Sequence, residues 1–320
     1  MALVVGAGIS GIACAAALAD AGQPVQVLER SRAIGGRMAS RTLRGTGTRW
    51  DGRVVDIGAS YFTISDPAFR AAIEPLITDG TVRSWTDTFH VAGTGGIEGV
   101  TTGPMRYSAP AGLRSVVAAL APGHLHIEHE REVGGVLVDG PWVTVDGLVS
   151  DRVALCMPGP QAARICPDLP VDATVWEPVL AVTCVFAERS WSELDGVFVN
   201  DDPVLTWIAD DGARRGDDAA VLVAHVHPVL SAGHLDDPSA VIPNVLACLQ
   251  RVLGMSALPE WVDVHRWTFD KPLQGRPEDY WLHDDVPLGL AGDVWAGGPR
   301  VEAAWLSGSR LGQALGARDA

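Results

Sequence analysis

Lysine is almost absent from this sequence. Of the 24 basic residues only Lys271 is a lysine, and 39 acidic residues bring the net charge to −15. Nucleic acids and anionic membranes attract proteins that carry a positive surface. The charge balance therefore argues against both as partners. A site for an anionic ligand has to be built locally, from arginines and helix ends.

Cysteine and long apolar runs are also scarce. The five cysteines form no CxxC pair and lie mostly in apolar stretches, which is typical of small core residues in a reducing compartment. No run approaches the ~20 apolar residues of a membrane-spanning helix, and the apolar start of the chain lacks the basic n-region of a signal peptide. We therefore expect a cytoplasmic protein, and we expect no metal site. Since 47% of the residues are hydrophobic, the protein should also have a large core.

The first 38 residues have the pattern of a complete dinucleotide-binding βαβ unit. Apolar runs at residues 2–5 and 24–28 flank a helix of small residues, and the second run ends in Glu29. The turn between the first strand and the helix is formed by Gly6, Ala7, Gly8, Ile9, Ser10 and Gly11. A lone GxGxxG motif is weak evidence, but strand, helix, second strand and terminal acid together predict a dinucleotide site.

Each part of this unit has a physical role. Gly6 permits the tight turn, Gly8 lets the backbone approach a pyrophosphate, and Gly11 lets the helix lie close to the strand. The start of the helix then offers free N–H groups to the anion. Glu29 is placed to accept hydrogen bonds from an adenosine ribose.

A second glycine cluster follows Glu29 and Arg30. It consists of Gly35, Gly36, Arg37 and Met38, and it adds backbone N–H groups and one guanidinium beside the phosphates. This extension resembles that of flavoproteins whose FAD domain is of the p-hydroxybenzoate hydroxylase or amine oxidase type, which implies that the dinucleotide is FAD. An NAD-dependent dehydrogenase would leave this cluster and the later Gly292-Asp293 pair unexplained.

The rest of the chain predicts two intertwined domains: an α/β Rossmann-like domain and a smaller domain with a mixed antiparallel sheet. Short apolar strands return near residues 153–156 and 288–290, whereas residues 179–227 read as antiparallel strands. Helices are expected from Pro67 after an Asp66 cap, from Pro238 after an Asp237 cap, and over residues 301–315. Residues 85–99 show no clear periodicity. The expected FAD-binding domain is formed by residues 1–64, 105–170 and 284–320, and the substrate-binding domain by residues 65–104 and 171–283.

Several blocks together resemble one family, the bacterial renalase-like FAD-dependent NAD(P)H oxidases. The blocks are GAGISG, the ER and GGRM pair, DIGASYFT, MPGPQA, HRW with a nearby KP, and GDVWAGGPRVEAAWLSG. They span nearly the whole chain, and the last is the most specific. Two positions depart from the family pattern: Ser60 stands where relatives usually carry Gln, and Lys271-Pro272 where Arg-Pro is usual.

The resemblance implies a set of cofactor-binding residues. Carried over by position, they are Gly6, Ala7, Gly8, Ile9, Ser10, Gly11, Glu29, Arg30, Gly36, Arg37, Met38, Ser60, Tyr61, Val133, Asp293, Arg300, Val301 and Glu302. Ser60 and Tyr61 would lie near the flavin ring, Asp293 would bind the ribityl chain, and the backbone of Val133 would contact the adenine. A helix that begins near Val301 would also point its positive end at the pyrimidine edge of the flavin, where reduction places negative charge.

The resemblance also implies an activity. Renalase-like enzymes oxidise dihydronicotinamide dinucleotides reduced at the 2- or 6-position, return NAD(P)⁺ and pass the electrons to O₂ as H₂O₂. Hydride transfer from such a donor needs no side-chain base, so the protein has to supply stacking, orientation and a dry pocket. The candidate pocket residues are Tyr61, Trp207, His225, Trp267 and Trp305. The expected partners are a dihydronicotinamide dinucleotide and O₂, and the oligomeric state stays open.

Two other functions fit part of the pattern. Flavin amine oxidases usually keep a lysine near flavin N5 and are longer than this chain, and the only lysine here lies in an Asp-Lys-Pro turn. A flavin-binding protein without turnover would leave the aromatic pocket residues without a purpose.

Overall fold

The computed structural model describes residues 1–171 and 176–318. The strands are β1 (Ala2–Val5), β2 (Val25–Leu28), β3 (Ser40–Thr42), β4 (Val54–Asp56), β5 (Arg83–Gly93), β6 (Gly96–Ser108), β7 (His126–Glu128), β8 (Val136–Asp139), β9 (Trp142–Val145), β10 (Leu148–Ser150), β11 (Arg152–Leu155), β12 (Trp176–Val185), β13 (Gly196–Val199), β14 (Leu205–Asp210), β15 (Val221–Val226), β16 (Trp261–Pro272), β17 (Trp281–Leu282) and β18 (Leu288–Leu290). The helices are α1 (Ile9–Asp20), α2 (Pro67–Thr78), α3 (Leu113–Leu120), α4 (Gly159–Ile165), α5 (Asp211–Arg215), α6 (Pro228–Ala232), α7 (Ile242–Leu253) and α8 (Val301–Gly316), with short 3₁₀ turns at Gly36–Met38 and Pro238–Val241.

The first sheet has the strand order β17-β18-β11-β1-β2-β7. All its neighbours pair in parallel except β17 and β18 at one edge. Its central strand β1 is apolar throughout because both faces of the sheet are covered. Helices α1, α2, α3 and α8 pack on one face, and the small sheet β8–β10 with α4 packs on the other. This layered α/β arrangement confirms the predicted fold class.

Helix α8 packs on α1 through glycine. A methyl group at Gly308 would lie 1.9 Å from the carbonyl oxygen of Ser10, and one at Gly312 would lie 2.5 Å from that of Cys14. The rising order of both pairs shows that the two helices are parallel. Seven residues of α8 precede Gly308, so its N-terminus extends about 10 Å beyond the level of Ser10 at the same end of the molecule.

The second sheet has the order β16-β12-β15-β14-β13-β5-β6. Its pairs are antiparallel, as predicted, except for the parallel contact of β13 with β5. Side chains such as Val182, Leu222 and Ala224 form a core with α7 on one face. The opposite face receives the β3–β4 hairpin and the segment that follows it, so it is turned toward the first sheet's domain.

Some predicted elements differ from the structure. Residues 85–99, predicted as irregular, belong to the long β5–β6 hairpin, and the prediction failed because most of β6 is exposed at the sheet edge and carries no apolar alternation. Asp66 caps α2 as predicted, accepting from the N–H groups of Ala68 and Phe69. Asp237 makes no capping hydrogen bond, because the chain first forms the 3₁₀ turn before α7.

The predicted domain boundaries differ at several segments from the division between the two sheets. Helix α2, placed in the substrate-binding domain by sequence, packs Phe69, Ile73 and Leu76 into the core of the first domain. The end of β6 and strand β17 likewise cross the predicted limits. Residues 172–175, at the start of the predicted substrate-binding segment, and residues 319–320 lie outside the described part of the chain.

Candidate active site

The turn after β1 is closely packed at Gly6 and Gly11 and open at Gly8. Gly6 has a φ of +101°, and a methyl group there would lie 2.5 Å from the carbonyl oxygen of Cys156. A methyl group at Gly11 would lie 1.8 Å from the carbonyl oxygen of Gly6, whereas the nearest atom to one at Gly8 is 3.8 Å away. The backbone therefore requires glycine at residues 6 and 11, whereas the surface at Gly8 is free for a ligand.

The start of α1 has the properties of an anion site. No side chain caps the helix, which begins at the buried Ile9. The hydroxyl of Ser10 is buried and has no hydrogen-bond partner among the described residues. Gly35 donates its N–H to the Ala7 carbonyl at 2.9 Å, and a methyl group at Gly36 would lie 3.2 Å from the Cα of Gly8. Two glycine turns thus meet beside unpaired helical N–H groups, an arrangement that suits a pyrophosphate.

Glu29 lies beneath this turn. Its two carboxylate oxygens accept from the N–H groups of Ala7 and Ser31, each at 2.8 Å. Each oxygen keeps a second lone pair for a ribose hydroxyl. Arg30 is exposed, and Val133 is buried next to Leu28 in the core on that side of the sheet.

Arg37 and Asp293 form a bidentate pair. The guanidinium donates to both carboxylate oxygens at 2.7 and 2.5 Å and also to the carbonyl oxygen of Asp270 at 2.6 Å. Its third contact is with the ring of Trp176, 5.3 Å from the centroid. Arg37 therefore connects the glycine turns to β16 and β12 of the second sheet. Met38, next in the chain, is buried in the first core.

The second free helix end is that of α8. The exposed Arg300 precedes it in an extended conformation, and no side chain caps the N–H groups that start at Val301. The carboxylate of Glu302 is turned away from this end and accepts from the N–H groups of Ser65 and Asp66 at 2.6 and 3.0 Å. Glu302 thereby ties α8 to the start of α2.

Four of the five predicted pocket residues share one face of the second sheet or contact it. The ring of Tyr61 lies 5.8 Å from that of Trp207, and Trp207 is the register partner of His225 on the next strand. Trp267 lies on the same face and donates its indole N–H to the carbonyl of Ile57 at 2.6 Å. Trp305 does not join this group, because it packs on Phe69 inside the first domain.

Three buried polar atoms in this region have no hydrogen-bond partner among the described residues. They are Ser60 Oγ, Trp207 Nε1 and His225 Nε2. Leaving a buried polar group unpaired costs about 1–3 kcal/mol, so each such atom in a native structure calls for a ligand, an ion or water. Burial, with the charges of Arg214 and Lys271, lowers the pKa of His225 to about 4. The imidazole is therefore neutral at physiological pH.

A cavity of about 350 Å³ opens beside His225. Its polar lining residues are Glu177, Thr206, His225, His227, Asp270 and Lys271. Lys271 pairs with Glu177 at 3.1 Å, and burial raises the pKa of Asp270 to about 6. Sequence analysis missed Glu177 and Asp270, although the Asp-Lys-Pro turn at the end of β16 was a signal for the latter.

A buried charge network supports the segment that carries Ser60. Arg214, fully buried on α5, donates to the Ser60 carbonyl at 3.2 Å and pairs with Asp211. Asp211 also pairs with Arg53 at 2.8 Å and Arg215 at 3.0 Å. Burial opposes ionisation of Asp211, but these guanidiniums hold its pKa well below the usual range. Nothing in the local sequence indicated that α5 would dock here.

Comparisons with known proteins agree with this architecture. Residues 4–75 match the family model of the NAD(P)-binding Rossmann-like domain. A candidate protoporphyrinogen oxidase from Exiguobacterium sp. 255-15 is 16% identical over 98% of each chain, with a TM-score of 0.76. Cyclohexylamine oxidase from Brevibacterium oxydans IH-35A is 16% identical over 98% of each chain, with a TM-score of 0.73. Putrescine oxidase bound to putrescine is 18% identical over 99% of each chain, with a TM-score of 0.72.

The chain has the fold of these oxidases. At such low identity the likeness establishes the fold alone. Within residues 1–171 and 176–318, no cluster of three or more His, Cys, Asp or Glu side chains is arranged to hold a metal ion. No helix in the same ranges is long and apolar enough to cross a membrane.

Proposed function

We propose that the protein is an FAD-dependent oxidase of dihydronicotinamide dinucleotides reduced at the 2- or 6-position. The observation that carries the FAD assignment is the pair of uncapped, parallel helix N-termini of α1 and α8, offset by about 10 Å along their axes. FAD has a negative pyrophosphate at one point and, when reduced, negative charge at N1 and C2=O farther along. The unpaired hydroxyl of Ser10 fits the first of these positions.

In this proposal, one set of residues binds FAD and another set binds the electron donor. Glu29 and the glycine turns bind the ADP half, and the Arg37–Asp293 pair lies between those turns and the second sheet. Bound FAD would supply the hydride acceptor and the means of passing the electrons on to O₂. The rings of Tyr61 and Trp207 pack on each other beside His225 and outside the cavity lining, and the neutral His225 orients a carboxamide by a hydrogen bond. The residues thus orient the donor and exclude water, which is what hydride transfer requires.

The first test is the identity of the pigment and the electron donor. The purified protein should be yellow, and heat should release FAD, not FMN or NAD. In anaerobic stopped-flow experiments, borohydride-reduced NAD isomers should bleach the flavin band rapidly while pure β-NADH bleaches it very slowly. A displacement of about 1 Å in the reacting carbon already costs on the order of a hundredfold in rate. Rapid bleaching by β-NADH, with none by the isomers, would overturn the substrate assignment.

A flavin amine oxidase is the second candidate, and one observation favours it. The cavity beside His225 contains the carboxyl groups of Glu177 and Asp270, which would attract a cationic amine. Lys271 is half exposed and paired with Glu177, so it does not reproduce the lysine expected near flavin N5. Putrescine and benzylamine belong in the same stopped-flow series, and bleaching by either amine alone would select this function.

A further inference from the structure

The charges around the cavity cancel in pairs, with one exception. Lys271 from β16 faces Glu177 from β12. Arg37, from the glycine turn, faces Asp293, which follows β18. Arg214 on α5, the remaining cation near His225, faces Asp211. The group left over is the carboxyl of Asp270.

Asp270 is held in place by its backbone and leaves its side chain free. Its carbonyl oxygen accepts from Arg37, which fixes the end of β16 at the cavity wall. Its carboxyl group takes part in none of the side-chain hydrogen bonds or ion pairs within residues 1–171 and 176–318. The charges that act on it are those of Arg37, Asp293, Lys271 and Glu177. A ligand in the cavity is therefore the natural partner of this carboxyl.

His225 does not offset this charge. His225 is neutral at physiological pH, because burial lowers its pKa to about 4. His227, at the start of α6, is engaged as the acceptor of the Val229 N–H at 3.2 Å. An anionic group placed beside Asp270 would thus meet a like charge in a partly enclosed cavity, where repulsion is stronger than in bulk water.

We infer that Asp270 determines the charge selectivity of this cavity, admitting a neutral carboxamide or a cationic ammonium group and excluding a carboxylate. The inference rests on the proposed function only in taking the cavity as the substrate end of the site. It holds for either candidate reaction, since a dihydronicotinamide presents a carboxamide and an amine presents an ammonium. Asp270 would thus discriminate both the carboxamide and the ammonium ligand from a carboxylate of the same shape.

The test uses three ligands of nearly the same shape on the oxidised holoenzyme: benzamide, benzoate and benzylamine. Binding is followed by the perturbation of the flavin absorbance band at about pH 7.5. Benzamide and benzylamine should bind, and benzoate should bind at least about tenfold more weakly. Asp270→Asn should reduce the preference for benzamide over benzoate by about the same factor, whereas Asp263→Asn, on the same strand but outside the cavity, should leave it unchanged.

A pH titration of the unaltered protein provides a second measurement if Asp270→Asn folds poorly. Since the pKa of Asp270 is about 6, the discrimination against benzoate should weaken as the pH falls from about 7.5 to about 5.5. Equal binding of benzamide and benzoate at the higher pH, no change with Asp270→Asn, or no binding of any probe would overturn the inference. The donor series reports on the reaction separately, so the charge order can hold even where dihydronicotinamides fail to reduce the flavin.

Discussion

Arg37 and Asp293 lie 256 positions apart in the chain and bind each other through two parallel hydrogen bonds. Arg37 belongs to the second glycine cluster, after β2, and Asp293 follows β18, so the pair joins two segments at the carboxyl ends of the parallel strands of the first sheet. Since Arg37 also binds the carbonyl of Asp270, the same guanidinium fixes the second sheet to the first. The proposed flavin site and the cavity thus share one side chain.

Arg37→Lys should separate this geometry from its charge. A lysine keeps the positive charge but loses the planar fork that matches a carboxylate. We expect the dissociation constant of FAD to rise about tenfold or more and the free energy of unfolding to fall by about 1–3 kcal/mol. Arg41→Lys, which alters an exposed pair with Asp263, is the control. Fluorescence titration of the apoprotein and urea unfolding measure the two effects, and equal behaviour of both variants would contradict the prediction.

Glu29→Ala should weaken FAD binding. The substitution removes the carboxylate that Ala7 and Ser31 hold in place and whose remaining lone pairs are proposed to accept from the ribose hydroxyls. Each lost charge-assisted bond to the ribose is worth about 1.5–3 kcal/mol. Glu29→Gln retains one acceptor oxygen, so its affinity for FAD should lie between those of the unaltered protein and Glu29→Ala. Titration of the apoprotein gives the affinities. An unchanged affinity for Glu29→Ala would remove this residue from the proposed ribose site.

His225→Ala should slow reduction of the flavin while the flavin stays bound. His225 lines the cavity, and its Nε2 is buried without a partner among the described residues. In the proposed function this nitrogen binds the carboxamide, so the variant loses that hydrogen bond. Anaerobic stopped-flow bleaching measures the rate. His265→Ala, on the same sheet but outside the cavity lining, should keep the normal rate. A lower thermal midpoint with an intact reduction rate would show that His225 is only structural.

Asp211→Asn should destabilise the protein in a pH-dependent way. The pKa of Asp211 is depressed in the folded state, so its contribution is fully present above the unfolded-state pKa of about 3.9 and is lost as the pH falls below it. Near neutral pH the variant leaves the fully buried Arg214 without a charged partner, whereas Arg215 keeps Asp56 and Arg53 keeps Asp217. The variant should lose about 3–5 kcal/mol. Urea unfolding at several pH values should show this difference shrinking in acid, and a constant difference would disprove the assignment.

Gly308→Ala should disturb both stability and cofactor binding. The added methyl group would lie 1.9 Å from the Ser10 carbonyl, so α8 must shift, at a cost of about 1–3 kcal/mol. The shift should also weaken FAD binding, because it displaces the free N–H groups at Val301. Gly95→Ala, where a methyl group meets nothing within 4 Å, is the matched control. Thermal unfolding and flavin titration of both variants test the expectation.

The parts of the fold that the sequence predicted carry their signals locally. The glycine turn, the Asp66-Pro67 helix start and α8 each depend on residues within a few positions of one another. The β5–β6 hairpin was missed because its pairing partners, and not its own pattern, define it. Local chemistry therefore predicted the glycine turn and these helix starts better than the second sheet.

The missed residues at the site share a different cause. Asp270, Glu177 and Arg214 are charged side chains whose roles depend on partners from distant segments. A charged residue on a strand or short helix ordinarily indicates solvent exposure. Only the assembled structure shows that these three are placed against the cavity or beneath the Ser60 segment. The opposite error was made for Trp305. Its motif predicted a pocket residue, but it lies on the face of α8 that packs on Phe69 in the core of the first domain.

The close contact of α1 and α8 has a consequence for how the protein acquires its cofactor. Helix α1 ends at Asp20 and α8 begins only at Val301, yet the two helices pack directly on each other. Contacts between such distant segments form late, because the intervening chain must first be ordered. In the proposed site, the βαβ unit binds the adenine half of FAD and the N-terminus of α8 faces the flavin ring. We therefore expect stable flavin binding to require the docking of α8 on α1, and bound flavin to hold these two helices together.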